Sequence, residues 1–334
     1  MKEISFININ KQRWSAFDDQ ITRKRDISPD DLASNYILLT DDLSYARTFY
    51  PQSGLVTYLN SLSSRTHSII YRNKKEKSNR IFEFWLTELP LSIYLSRKDF
   101  LWALMIFLGA FLLGWISAIE DSDLLRVIIG DAYVNMTLDN ISKGDPMGVY
   151  GMTNPLEMFF MIAFNNIRVS FLAFLFGVLT PLGTAFILFR NGMMLGAFLA
   201  FFFQQTLGVV SLVTVLLHGT IELSAIVLAG GAGILMGRSL MFPGTYPRKY
   251  LFVKGAVRGT KIIMGLIPFF ILASAIESYI TRHYNQMPML VQLLIIGLST
   301  ALIVGYFVIY PKYIYVRTFN QSRNGETNRI AQKE

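Results

Sequence analysis

In the stretch LLHGTIELSAIVLAGGAG, residues 216–233, His218 and Glu222 stand four residues apart inside an apolar run. That spacing puts both side chains on one face of a helix. An imidazole beside a carboxylate could pass a proton, hold an ion or form a buried pair. Ionisable groups at membrane depth are costly, so they normally face the protein interior with a partner. Other polar side chains in apolar surroundings are Asn165, Asn166, Arg168, Gln204 and Glu277. The H-x-x-x-E spacing is not the H-E-x-x-H zinc signature, and the only other histidines are His67 and His283. With no cysteine in the chain, thiolate metal sites and disulfides are excluded. GGAGILMG, ending at Gly237, lacks the Gly-Lys-Ser/Thr close of a phosphate loop. No nucleophile triad or aspartate pair occurs at membrane depth. The expectation is a protein that is not an enzyme, with no metal and no cofactor.

The elements that must carry these residues follow from composition. Of 334 residues, 52% are hydrophobic and 16% charged, with a mean hydropathy of +0.39. That is too apolar for an ordinary soluble domain and expected of an integral membrane protein. The net charge of +8 sits beside apolar runs, where basic residues set membrane orientation, so no nucleic-acid partner is expected. The N-terminus MKEISFININKQRW lacks the apolar core of a signal peptide.

Residues 1–99 carry 15 Lys/Arg and 12 Asp/Glu, with Leu32, Tyr36, Leu39, Leu43 and then Leu55, Leu59, Leu62 at helical spacing. They predict a small cytoplasmic helical domain. SPDDL places Ser28 as a helix cap, and RNKKEK, Arg72 to Lys77, marks a loop. Residues 100–119 are twenty in a row without a charge, the length that spans a bilayer core. Residues 120–158 hold seven acids against two bases, so they are expected on the extracytoplasmic side. Further spans are expected at about 166–189, 193–206, 210–237, 262–279 and 290–310. Asn191 and Gly192 supply a tight turn between the second and third, and Pro181 kinks the second. Six bases and no acid in 238–261, and five bases to two acids in the tail 311–334, put both regions and both termini in the cytoplasm. The predicted fold is all-α: a six-span helical bundle over 100–310, with five spans as the rival count.

At 1.5 Å per residue, Glu222 comes out about 24 Å and His218 about 30 Å from the boundary at Arg238. By the same count from Arg190, Gln204 lies about 21 Å up and Arg168 about 33 Å, while Glu277 lies about 24 Å from Lys261. The polar residues of four spans thus converge on the outer third. The expected central contact is an Arg168–Glu222 pair, with Asn165 and Asn166 supporting the arginine. Gly192, Gly196, Gly230, Gly233 and Gly237 include two pairs at the spacing that lets helices approach closely in lipid.

NNIRVSFLAFLFGVLTPLGT (165–184), RNGMMLGAF (190–198) and HGTIELSAIVLAGGAGILMG (218–237) resemble the membrane core of the stage II sporulation protein M family. The head resembles it too, in Arg13–Trp14, LTDDLSYARTFYP (39–51) and YLNSL (58–62), so the likeness covers about residues 10–310. Pro181 departs from the small residue usual at its position. The resemblance implies a multipass scaffold of the bacterial cytoplasmic (inner) membrane, serving envelope or cell-wall processes. It also implies partners of three kinds: a MoxR-type AAA ATPase, an RDD-domain membrane protein, or a cell-wall hydrolase complex. The first hypothesis is such a scaffold, in the lipid bilayer, a homodimer through its glycine-lined helices. The alternative is a transporter or channel using the outer polar cluster. The two differ in whether Arg168, His218 and Glu222 line a hydrated cavity or are buried against one another.

Overall fold

The computed structural model describes residues 1–22, 27–70, 80–151 and 153–331, so the loop expected at Arg72 to Lys77 lies outside the described residues. The chain divides into two compact units, 1–80 and 81–334.

Among its described residues the first unit holds three helices, Glu3–Thr22, Pro29–Phe49 and Gly54–Ile70. Ser28 caps the second, its Oγ accepting from the Asp31 amide at 3.1 Å. Of the leucines picked out by periodicity, Leu39, Leu43, Leu55, Leu59 and Leu62 are buried, packed against Phe6, Trp14 and Phe17. Leu32 and Tyr36 are only partly buried. Asp42 is held by an ion pair with Arg13 and accepts from Trp14 Nε1 at 2.7 Å. Trp14 is 4% exposed, so removing its acceptor strands a buried donor. Asp42→Ala should therefore cost about 1–3 kcal/mol. Hydrogen exchange on the full-length protein would show it as faster opening of the three head helices, with exchange in the membrane spans unchanged.

Among its described residues the second unit has six helices long and apolar enough to cross a membrane: Arg97–Glu120, Pro155–Leu179, Pro181–Gln204, Gly208–Met241, Arg248–Gln286 and Met289–Asn320. They are called spans one to six. No strand occurs among the described residues. The chain is thus an all-α polytopic protein, as its composition predicted, with several boundaries moved.

The largest correction concerns spans two and three. The break falls at Thr180, whose extended backbone caps span three while Pro181 takes its first helical position. Proline there has no intrahelical amide bond to lose, so it starts a helix instead of kinking one. Arg190, Asn191 and Gly192, expected at a turn, lie inside span three, with Asn191 Nδ2 donating to Ile187 O at 2.8 Å. Span two accordingly begins at Pro155, where Asn154 Oδ1 accepts from the Leu156 amide at 3.0 Å. The extracytoplasmic segment expected over 120–158 is itself helical: Ser122–Ile129, Asp131–Ser142 and a 3-10 turn, Gly148–Gly151. Its Leu125, Val134, Met147 and Tyr150 form one apolar cluster with Phe201, Leu217, Ile221 and Ala273 of the spans, making a cap over this end of the bundle.

At the other end, residues 81–95 belong to the membrane unit and not to the head. The π-helical turn Phe84–Glu88 leads into Leu89–Leu95, whose Leu89 and Ile93 are buried in one core with Leu266 and Phe307. Lys261 bonds Glu88 at 2.5 Å, and Tyr306 Oη donates to Trp85 O at 2.8 Å. The expected boundary at residue 99 thus falls inside span one. Asp99 is 1% exposed and receives Arg238 in bidentate fashion, Nε at 2.7 Å and Nη2 at 3.1 Å. The region expected to be a basic tail continues span six as the helix Tyr310–Ala331.

The glycines set how closely the spans approach. A Cβ on Gly196 would stand 2.0 Å from Phe111 O, and one on Gly192 2.4 Å from Phe107 O, so span three lies directly on span one. Gly233 and Gly237 press on Ala173 O and Gly177 O of span two, and Gly230 on Leu188 of span three. These surfaces, expected to serve as the seam of a homodimer, are filled within the chain, because close backbone approach lets dispersion bind helices in lipid.

Candidate functional site

His218 and Glu222 point from one face of span four toward span five, which is not a plain helix there. Pro268 interrupts its hydrogen bonding, and the π-helical turn Ile276–Ile280 follows, then the 3-10 turn Thr281–Gln286. The π-helical turn carries Glu277, and Thr281 begins the 3-10 turn. His218, Glu222 and Glu277 each offer a ligand atom, and these lie within 4.8 Å of one another. His218 Nδ1 is 3.2 Å from Thr281 Oγ1, while Nε2 is 3.7 Å from Glu277 Oε1. From span two, Asn166 stands beside Glu222 and is 5% exposed, its Nδ2 near the carboxylate but short of well-formed hydrogen-bond geometry.

The cap closes this cluster. The Tyr150 ring meets the His218 imidazole edge to face at 5.8 Å. Burial pushes the Tyr150 phenol well above its ordinary value, so it remains a neutral hydroxyl. Tyr284 Oη donates to Asp145 Oδ1 at 3.0 Å, and Arg282 Nη2 to Thr153 O at 3.3 Å, tying the turn after Glu277 to the cap. Nothing in the sequence pointed to Tyr150 or Thr281. Their role depends on contacts between elements far apart in the chain.

The other expected members lie elsewhere. Gln204 ends span three, donating to Ala118 O at 3.2 Å. Asn165 is exposed, with Nδ2 3.4 Å from Asn166 Oδ1. Arg168 is exposed and has no ion pair or hydrogen bond among the described residues, so the expected Arg168–Glu222 pair is not formed. The expectation failed because it anchored span two at Arg190. Counted from Leu179, Arg168 lies about 16 Å up, near mid-membrane. Arg190, counted from Pro181, lies about 14 Å up and is also exposed without a partner among the described residues. Thr184 Oγ1 donates to Ala173 O at 2.8 Å and fixes the antiparallel register of spans two and three, which sets the two arginines level with each other.

A groove of about 810 Å³ opens between spans one, four and six. Its walls are apolar, including Phe107, Leu223 and Phe307, with Arg97 and Lys312 among its lining. None of His218, Glu222, Glu277 or Arg168 lines it. His218 is buried and Glu222 half-buried among their neighbours.

Six spanning helices and a buried polar cluster beneath a helical cap define a multi-pass membrane protein. Comparison with known families places it further. Stage II sporulation protein M matches residues 103–282, and the chain belongs to that family. The head matches a model of its own: residues 4–72 match a domain of unknown function, DUF8413. No curated protein and no solved structure matches the chain.

Proposed function

We propose that this protein is a non-enzymatic scaffold of the bacterial cytoplasmic membrane that recruits another membrane protein through the outer face of spans two and three. Its basic end, with Arg97, Arg238 and Lys261, faces the cytoplasm together with both termini. The observation that carries the reading is the pair of level, exposed, unpartnered arginines near mid-membrane. A guanidinium there cannot easily reach either headgroup layer, and Arg168 and Arg190 repel each other in a medium of low dielectric. An acidic residue on a partner's transmembrane helix supplies the missing countercharge. The exposed Phe164, Phe171 and Phe186 around the arginines give that helix an apolar bed. The burial of His218 against Thr281 and Tyr150 favours this reading over a transporter.

The test is site-specific photocrosslinking in native membranes. A crosslinker at Phe186 should capture a membrane protein with an acidic residue in a spanning helix, and the Arg168→Ala/Arg190→Ala double variant should lose at least ten-fold of the adduct at equal expression. A crosslinker at Leu298, 71% exposed on span six, should capture lipid alone. An adduct twice the mass of the chain would make this face an interface between copies. Equal capture with and without the arginines would end the charge argument.

A further inference from the structure

Two carboxylates and an imidazole meet at membrane depth, the imidazole buried and the carboxylates half-buried, and neither carboxylate has a Lys or Arg ion pair among the described residues. Buried charges persist only when paired, hydrogen-bonded or bound to metal. Two carboxylates left to themselves would repel, and a divalent cation makes the pair neutral. We propose that His218, Glu222 and Glu277 bind a divalent transition-metal ion, for which zinc is the probe. The inference is independent of the recruitment reading and concerns a different part of the bundle.

Three features of the site beyond its acidity point to a metal. The first is the orientation of the histidine. Thr281 Oγ1 lies within hydrogen-bond reach of Nδ1, and in the tautomer where it accepts the Nδ1 proton, Nε2 is free to ligate on the side of Glu277. Metal-binding histidines commonly use the second nitrogen in this way, fixing tautomer and ring angle. The second is distance. Nε2 and Oε1 are 3.7 Å apart, too far for a hydrogen bond. Two ligands each about 2.1 Å from one tetrahedral zinc are roughly 3.4 Å apart, so a small adjustment admits the ion. The third is Asn166, nine-tenths buried, whose amide is set beside Glu222 without completing a well-formed hydrogen bond to it. Its carboxamide is available to support a ligating carboxylate or a water in the fourth position. One nitrogen and two oxygen donors suit zinc and its first-row neighbours. The ion would pin span four to the irregular turn of span five, directly beneath the Tyr150 cap.

The experiment uses the full-length protein in detergent with a tag that contains no histidine. After stripping with a chelator, equilibrium dialysis against Zn²⁺ should return one equivalent per chain and raise the melting temperature. His218→Ala and Glu277→Gln should each weaken binding at least 100-fold. Thr281→Val, which keeps all three ligands and the same charge, should weaken it about 10- to 100-fold and remain informative if the ligand variants misfold. His283→Ala, altering an exposed histidine outside the cluster, should bind as the unaltered protein does. The proposal fails if the unaltered protein takes up no stoichiometric zinc, in which case protons balance the carboxylates. It also fails if zinc binds undiminished to His218→Ala and Thr281→Val alike.

Discussion

Gly196→Ala should lower the apparent melting temperature by more than any other single-methyl change in the bundle. The new Cβ would sit 2.0 Å from the Phe111 carbonyl oxygen, an approach that real Cβ atoms essentially never show. No rotamer relieves it, because the obstacle is the backbone of span one and the added group is fixed to the backbone of span three. The helices must separate, and their contact is the source of their attraction in lipid. The expected cost is about 3 kcal/mol or more, in the range of severe overpacking. Gly177→Ala, whose Cβ would meet Gly233 O at 2.2 Å, should behave alike at the seam of spans two and four. The control is Gly297→Ala in span six, where nothing lies within 4 Å. There the higher helix propensity of alanine should leave stability unchanged or raise it by up to about 1 kcal/mol. Thermal melts of the three variants in one detergent decide the matter, and equal melting of Gly196→Ala and Gly297→Ala would contradict the packing described.

Asp99→Ala should also destabilise the bundle, through a stranded charge instead of a steric clash. The carboxylate is 1% exposed and holds the Arg238 guanidinium by two bonds, joining the start of span one to the end of span four. Removing one partner of a buried pair costs about 3–5 kcal/mol because the other charge is stranded. The Arg238 side chain is 52% exposed, so water recovers part of that, and about 2 kcal/mol is expected. The diagnostic is the double variant Asp99→Ala/Arg238→Ala, which should lose less than the sum of the two single losses, the sign of direct coupling. Strictly additive losses would mean that the pair contributes nothing beyond packing.

Several of these features were legible in the sequence. The uncharged run over residues 100–119 required a span, since lipid admits backbone only with its hydrogen bonds closed on themselves. Ser28 before a proline and two aspartates is a helix start whose chemistry is local, and its cap is formed. His218 and Glu222 share a face because helical spacing dictates it. The turn at Thr180 was missed because an Arg-Asn-Gly sequence offers turn chemistry of its own, and spacing alone does not say which of two breakers acts. That one error shifted Arg168 from mid-membrane to the outer third and created an ion pair that the structure lacks. The glycine pairs were recognised as close-packing positions, but whether their partner lay inside the chain or in a second copy depended on the arrangement of all six spans.

The sequence by itself determined that the protein is an all-helical membrane protein, with six spans favoured over five, and it marked out His218, Glu222, Glu277 and Arg168 as ionisable residues within the membrane while leaving Arg190 at a boundary turn. These follow from run length, composition and the cost of unpaired polar groups in lipid, which act residue by residue. Only the tertiary structure decided which of those residues meet. Glu277 and Thr281 reach His218 because a π-helical turn after Pro268 resets the face of span five, and Asn166 reaches Glu222 because span two begins at Pro155. Arg168 and Arg190 face outward for the same reason. Such meetings are set by the rotation of one helix against another, through contacts between positions far apart in the chain, and local sequence does not encode that rotation.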